Sequence, residues 1–139
     1  MYLARGGHFE AAAARGLSAL GFSLGRTGGP GDAGVDLSGV WVLGSPPHLP
    51  VVAQCKALDG TAGVSVVREF IGSGCVHASR RYARVAVLGL VVASTSFTRD
   101  AGRLFGRAAT PLGLATCDLE TGSVSSLALN RAAQKLLDG

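Results

Sequence analysis

Phe9, Ala13, Leu17 and Leu20 recur at steps of four, four and three residues. That spacing places them on one face of an amphipathic helix, which Gly21 closes. Beyond it the apolar period shortens. Phe22 to Leu24 reads as a short strand, and "RTGGPGDAG" reads as a loop by its glycines and proline. Residues 35–43 follow a strand period, with Val35, Leu37, Trp41 and Leu43 on one face and Asp36 and Ser38 on the other. The turn "GSPPHLP" leads to a second strand, residues 51–57, expected to be its antiparallel hairpin partner. After the loop "DGTAG", residues 64–77 read as a helix with Val67, Phe70, Ile71 and Gly74 inward. Residues 85–93 form a nearly continuous apolar run, as expected of a strand covered on both faces. Thr98 is placed to cap a helix reaching residue 109, with Phe97, Ala101, Leu104, Phe105 and Ala108 inward. Residues 112–118 are a last core strand, and the tail after Asn130 reads as a short helix. The order α-β-β-β-α-β-α-β, without repeat or interdomain linker, predicts one α/β domain over residues 1–139: a central mixed sheet flanked by helices.

Composition narrows this picture without changing it. A hydrophobic content of 47% supports a real core, yet glycine and charge interrupt every run that could span a membrane. Only 16% of residues are charged, so the net charge of +4 rests on a few arginines. That excess permits a polyanionic partner without requiring one. Three cysteines without paired spacing argue against a disulfide framework, and the lack of CxxC or a Cys/His cluster argues against structural zinc. A reducing, intracellular compartment follows. Arg5, Arg15 and Arg26 accompany a single acid, Glu10, before Asp32. This is the balance of a transit peptide, but its regular apolar spacing assigns the stretch to the fold. No GxGxxG or P-loop follows a strand, so a small-molecule α/β enzyme lacks support.

Two charges do not suit core strands. "GDAGVDLSGVWVL" carries Asp36 and "VVAQCKALDG" carries Lys56. Alternation puts Gln54 and Lys56 on one face and Ala53 and Cys55 on the other. If the strands pair, Asp36, Gln54 and Lys56 converge at one end of the sheet. A carboxylate and an amide oxygen can hold a hard cation such as Mg²⁺. A lysine beside them can orient water and offset charge developing on a phosphate. That is equipment for phosphodiester hydrolysis.

At these residues the chain resembles the D-x(n)-QxK signature of the PD-(D/E)xK nuclease superfamily, in its Mrr-type branch. The likeness runs in collinear order through "GGHFEAA", "GDAGVD", "AQCK", "VSVVREFIGS" and "VVASTSFTRDAGRLF", over residues 6–118. It implies a restriction-endonuclease-like fold and a DNA endonuclease dependent on Mg²⁺ or Mn²⁺. By this resemblance Asp36 is the metal-binding aspartate, Gln54 stands at the usual Glu/Asp position, and Lys56 is the catalytic lysine. The backbone carbonyl of Cys55 is a further metal ligand, and Glu10 matches a first-helix glutamate. A neutral Gln54 binds a cation less tightly than glutamate, and Glu10 would restore the charge. Ala33 replaces a frequent glycine. A nuclease of this size needs a second subunit or domain to cut both strands, so the resemblance also admits a homodimer. Within the branch the chain is similar to a fungal mitochondrial family linked to respiratory growth; that implies a mitochondrial location, and otherwise a cytoplasmic one. The alternative is a nuclease-fold protein that cleaves weakly or not at all and acts as a DNA-binding or maintenance factor. Gln54 motivates it, and the intact Asp36 and Lys56 oppose it.

Each residue also has a plainer reading. Asp36 could be a solvated edge residue, Lys56 a charge that blunts a sheet edge, and Glu10 a solvated helix-flank glutamate. Asp32 reads as a turn cap and Glu69 as a surface charge. His8, His48 and His77 have no ligand spacing, and the cysteines read as small core residues. Ser94 and Thr95 read as backbone caps. Arg99, Arg103 and Arg107 recur every four residues as a helix stripe, and Arg80, Arg81 and Arg84 cluster after the preceding helix. Either set could track DNA phosphates without reading sequence, or form a solvated face.

Overall fold

Alternation along one strand sets the layers of this protein. In β3 (Leu49–Lys56), Val51 and Ala53 pack into one core while Val52 packs into the other. The computed structural model describes residues 2–27, 34–46, 48–76, 78, 82 and 85–138, with side chains from residue 7 onward. Around β3 the chain runs α1 (Tyr2–Ser18), β1 (Phe22–Arg26), β2 (Leu37–Trp41), β3, α2 (Val64–Glu69, continued by a π-helical segment Phe70–Cys75), β4 (Leu88–Ala93), α3 (Arg99–Arg107), β5 (Leu112–Cys117), β6 (Val124–Leu129) and α4 (Arg131–Asp138).

The six strands form one mixed sheet in sequential order. Pairs β1–β2, β2–β3 and β5–β6 are antiparallel, while β3–β4 and β4–β5 are parallel. Parallel neighbours need a crossover, and α2 and α3 supply the two. Crossovers of one hand in one direction leave both helices on the same face. There Val67, Phe70, Ala101 and Phe105 share a core with Val52, Val91 and Leu112. On the other face Phe9, Ala13 and Leu17 of α1 cover Val51, Ala53, Leu90 and Val92, joined by Ala133 of α4. The result is the expected α/β sheet flanked by helices, with the architecture of a restriction-endonuclease-like fold. None of the described helices is long and apolar enough to cross a membrane.

Four details differ from expectation. Leu20 is 44% exposed, because α1 ends at Ser18. Val85 is exposed, because β4 starts at Leu88. Val35, Leu37, Trp41 and Leu43 do not share one face: Leu37 and Trp41 join the α1 layer, Val35 joins the α2–α3 layer, and Leu43 is exposed. The cause is local. Asp36 N–H donates to the Ala53 carbonyl at 2.8 Å, and Leu37 is also the register partner of Ala53. Two consecutive residues meet one, so the alternation slips. Finally, β6 is an additional strand. Its half-buried Val124, Leu127 and Leu129 are not evenly spaced, and its register against β5 shifts between Thr116 and Cys117. Asp32, Ala33, His77, Arg80, Arg81 and Arg84 lie outside the described residues.

Candidate active site

Strand β3 outruns β2. The β2 ladder begins with Leu37 opposite Ala53, so Cys55 has no ladder partner on that side. Asp36 fills the gap. Its Oδ2 accepts the Cys55 N–H at 2.8 Å, and its carbonyl accepts the Thr27 N–H at 3.0 Å. Its neighbours Val35 and Leu37 enter opposite layers, so the carboxylate sits at the sheet edge rather than on one face. In a strand the N–H and C=O of one residue point to the same side. The Cys55 carbonyl therefore faces the same open edge as the Asp36 carboxylate.

Gln54 approaches this edge from the α2 side. It is 4% exposed, and its Oε1 has no hydrogen-bond partner among the described residues. Its amide lies against Gly34: a Cβ there would stand 2.9 Å from Nε2, and φ at Gly34 is +79°. Both the space and the backbone conformation call for glycine. A buried amide oxygen without a donor costs about 1–3 kcal/mol, and an oxygen-seeking cation satisfies such a group. Lys56 ends β3 on the same face as Gln54, half-buried, and its ammonium makes no hydrogen bond or ion pair among the described residues.

Glu10 comes from the opposite layer. Its Oε1 accepts from Arg26 Nε at 3.2 Å, and Arg26 is the last residue of β1. The Cys55 side chain points to this layer. Burial chiefly, then the Asp36 and Glu10 carboxylates, and Cys117 last, push its thiol well above the ordinary range. The two carboxylates thus bear on one place. The structure joins Asp36 to the Cys55 backbone directly, with Gln54 and Lys56 on the α2 side of β3 and Glu10 on the α1 side. Among the described residues no group of three or more His, Cys, Asp or Glu side chains is poised for a metal. A cation here would depend on amide and backbone oxygens beside the carboxylates.

The same edge continues along the parallel strands, where Lys56 pairs with Ala93 and Ala93 with Thr116. Ser94 and Thr95 serve the backbone, as expected. The Ser94 hydroxyl accepts from Leu58 N–H at 2.9 Å, and the Thr95 hydroxyl donates to the Gly60 carbonyl at 2.7 Å. Thr98 caps α3 by accepting the Ala101 N–H at 3.1 Å. Arg99, Arg103 and Arg107 lie exposed along α3, which starts at this edge; Arg103 is 3.6 Å from Asp100. Glu69 is exposed, and His8 stands 3.5 Å from Glu120. His48 keeps a buried Nδ1 without a hydrogen-bond partner among the described residues. Burial pushes the Cys75 and Cys117 thiols up to about 11, so both stay protonated at neutral pH.

Sequence reasoning passed over Arg26. Its partner lies 16 residues away, and only the alternation of Phe22 and Leu24 into the α1 layer could have pointed it at the helix.

A family model described as a restriction endonuclease, Mrr_cat, matches residues 4–118. No curated protein and no solved structure matches the chain.

Proposed function

The chain belongs to the Mrr_cat restriction endonuclease family, and from that premise we propose that it is a divalent-cation-dependent nuclease that hydrolyses DNA phosphodiester bonds at the open end of β3. The observation that carries this reading is the buried Gln54 Oε1, without a hydrogen-bond partner among the described residues and next in sequence to Cys55, whose N–H the Asp36 carboxylate accepts. An oxygen-lined corner with one unsatisfied acceptor suits Mg²⁺ or Mn²⁺. Asp36, Gln54 and the Cys55 carbonyl would hold the ion, with Glu10 adding charge from α1. A bound cation supplies Lewis-acid stabilisation of charge on phosphate oxygens.

The protein's own groups do the rest. Lys56 has no competing partner among the described residues, so its ammonium is available to orient a water toward phosphorus and to offset the developing charge. Asp36 is fixed by the Cys55 N–H, so its second oxygen has a defined direction. Gly34 keeps the Gln54 amide in place by leaving room for it. The α3 arginines would track phosphates without reading bases, and two copies would be needed to cut both strands of a duplex.

The test uses supercoiled plasmid and branched DNA with Mg²⁺, with Mn²⁺ and with EDTA. Wild-type protein should nick or linearise in either metal and not in EDTA. Asp36→Ala and Lys56→Ala should each lower the rate by roughly a hundredfold or more. Cleavage that persists in both variants would sink this site. A second reading has its own support: Gln54 is neutral and Glu10 is engaged by Arg26, the features of a protein that binds DNA without cutting it. Metal-independent binding with no cleavage of any substrate would establish that reading instead.

A further inference from the structure

We infer that Arg26 is a DNA-backbone contact of this site, oriented for that task by Glu10; the inference rests on the nuclease reading above. Phe22 and Leu24 direct alternate positions of β1 into the α1 layer, and Arg26 follows them at the strand's last position. There it has no core to enter and crosses α1 instead. Its Nε donates to Glu10 Oε1 at 3.2 Å, and its Nη2 passes over Gly7, where a Cβ would come within 3.3 Å. Positions 7 and 10 are three apart, on one face of the helix. Gly7 therefore provides the seat and Glu10 the tether.

A guanidinium has five donors, and the described residues accept from one of them. The Arg26 side chain is 57% exposed. A pair whose arginine is more than half in water gains little from screened attraction, so stability alone does not account for the arrangement. The position does. The next residue, Thr27, donates its N–H to the Asp36 carbonyl, which puts Arg26 on the same sheet edge as the proposed cation ligands. The donors left over form a planar fork matched to phosphate oxygens. Holding Nε on Glu10 reduces the side-chain freedom that a phosphate would otherwise have to restrict. A strand whose scissile phosphate lies at Asp36 and Lys56 would bring a flanking phosphate to this fork.

The experiment measures binding of a fluorescein-labelled duplex by anisotropy in EDTA, across a salt series, with the full chain. Each phosphate contact contributes a slope of about 0.9 in log K against log salt. Arg26→Ala should lose that much slope and bind about eightfold more weakly at ~0.1 M than the wild type, when the two are matched at ~1 M salt. Arg26→Lys should keep the slope, because a point charge still releases a counterion, while binding less tightly than arginine. Arg131→Ala is the control for generic charge. Arg131 is exposed and follows Leu129, which pairs with Gly113 at the opposite end of the sheet. It should leave slope and affinity unchanged. Arg26→Ala binding that equals wild type, or a loss matched by Arg131→Ala, overturns the inference and leaves the nuclease reading standing. A wild-type protein that binds no DNA overturns both.

Discussion

Gln54 combines a buried amide oxygen without a donor among the described residues and a neighbour, Gly34, that cannot accept a side chain. In a purely structural role this position would be better filled by an apolar residue, because the orphaned oxygen costs free energy. Replacing it by glutamate separates the two roles. In EDTA, Gln54→Glu buries a carboxylate next in sequence to Cys55, whose N–H holds Asp36, and both desolvation and like-charge repulsion oppose it. The variant should lose about 2 kcal/mol, a fall of roughly 5–10 °C in Tm. Mn²⁺ should return more of that loss than it adds to the wild type, because ligand binding to the native state stabilises by mass action. Thermal melts with and without Mn²⁺ decide it. An equal Mn²⁺ shift in both proteins would remove Gln54 from the ligand set. That this residue mattered was legible from the sequence, because Gln54 and Lys56 two apart on a strand must share a face. Its surroundings were not, since they depend on how Gly34 packs against Gln54.

Asn130 shows what one side chain can do for several elements. It is 3% exposed. Its Oδ1 accepts from Leu112 N–H at 3.1 Å and from Ala133 N–H at 2.9 Å. Its Nδ2 donates to the carbonyls of Phe105 at 3.0 Å and Thr110 at 2.9 Å, with Ala108 at 3.4 Å. It thus closes the end of α3, starts β5 and caps α4. Asn130→Ala would leave the Leu112 and Ala133 N–H groups and the Thr110 carbonyl without this partner, while the Phe105 carbonyl keeps the Ala108 N–H at 3.4 Å, and should cost about 3 kcal/mol. Asn130→Asp keeps the acceptor but turns a carboxylate on the α3 carbonyls, and should be no better. Urea midpoints report both; a loss under ~1 kcal/mol for alanine would mean that the network is not structural. A polar residue before a tail helix reads as a cap from sequence alone, but partners 18 to 25 residues away do not. The same limit separates the elements that were legible from those that were not. The face of α1 and the burial of β4 follow from local period. The π-helical half of the second helix, the slip at Asp36 and the unevenly spaced β6 depend on contacts with other strands.

At the scale of the molecule, the first helix and the last hairpin touch backbone to backbone. A Cβ on Gly16 would lie 1.7 Å from the Gly122 carbonyl oxygen, and one on Gly122 would lie 1.8 Å from that of Ala12. The β5–β6 turn that makes this approach is held by Asp118, whose Oδ2 accepts from Thr121 N–H at 2.8 Å and Glu120 N–H at 3.0 Å. Hydrogen bonds from the Thr121 and Glu120 backbones, then from the Thr121 hydroxyl, hold that carboxyl below its ordinary range. Gly16→Ala must push the hairpin off α1 and should cost about 3 kcal/mol. Gly25→Ala, where nothing stands within 4 Å, should cost far less; equal losses in chemical denaturation would refute the docking. Titration reaches both layers at once. Cys117 belongs to the α1 core and Cys75 packs against the α2–α3 core, and burial raises each thiol from 9.0 to about 11. The unfolded chain therefore sheds these protons first. Where the native state binds more protons, stability falls as pH rises. The contribution of the two thiols is complete below pH 9 and is lost as pH climbs to about 11. Other groups titrate in that window too, so the readout is a difference. Urea midpoints from about pH 8 to 11 should fall more steeply for wild type than for a Cys75→Ala, Cys117→Ala variant, even though the variant starts lower for want of packing. Parallel declines would show that the thiols are not buried as the two cores require.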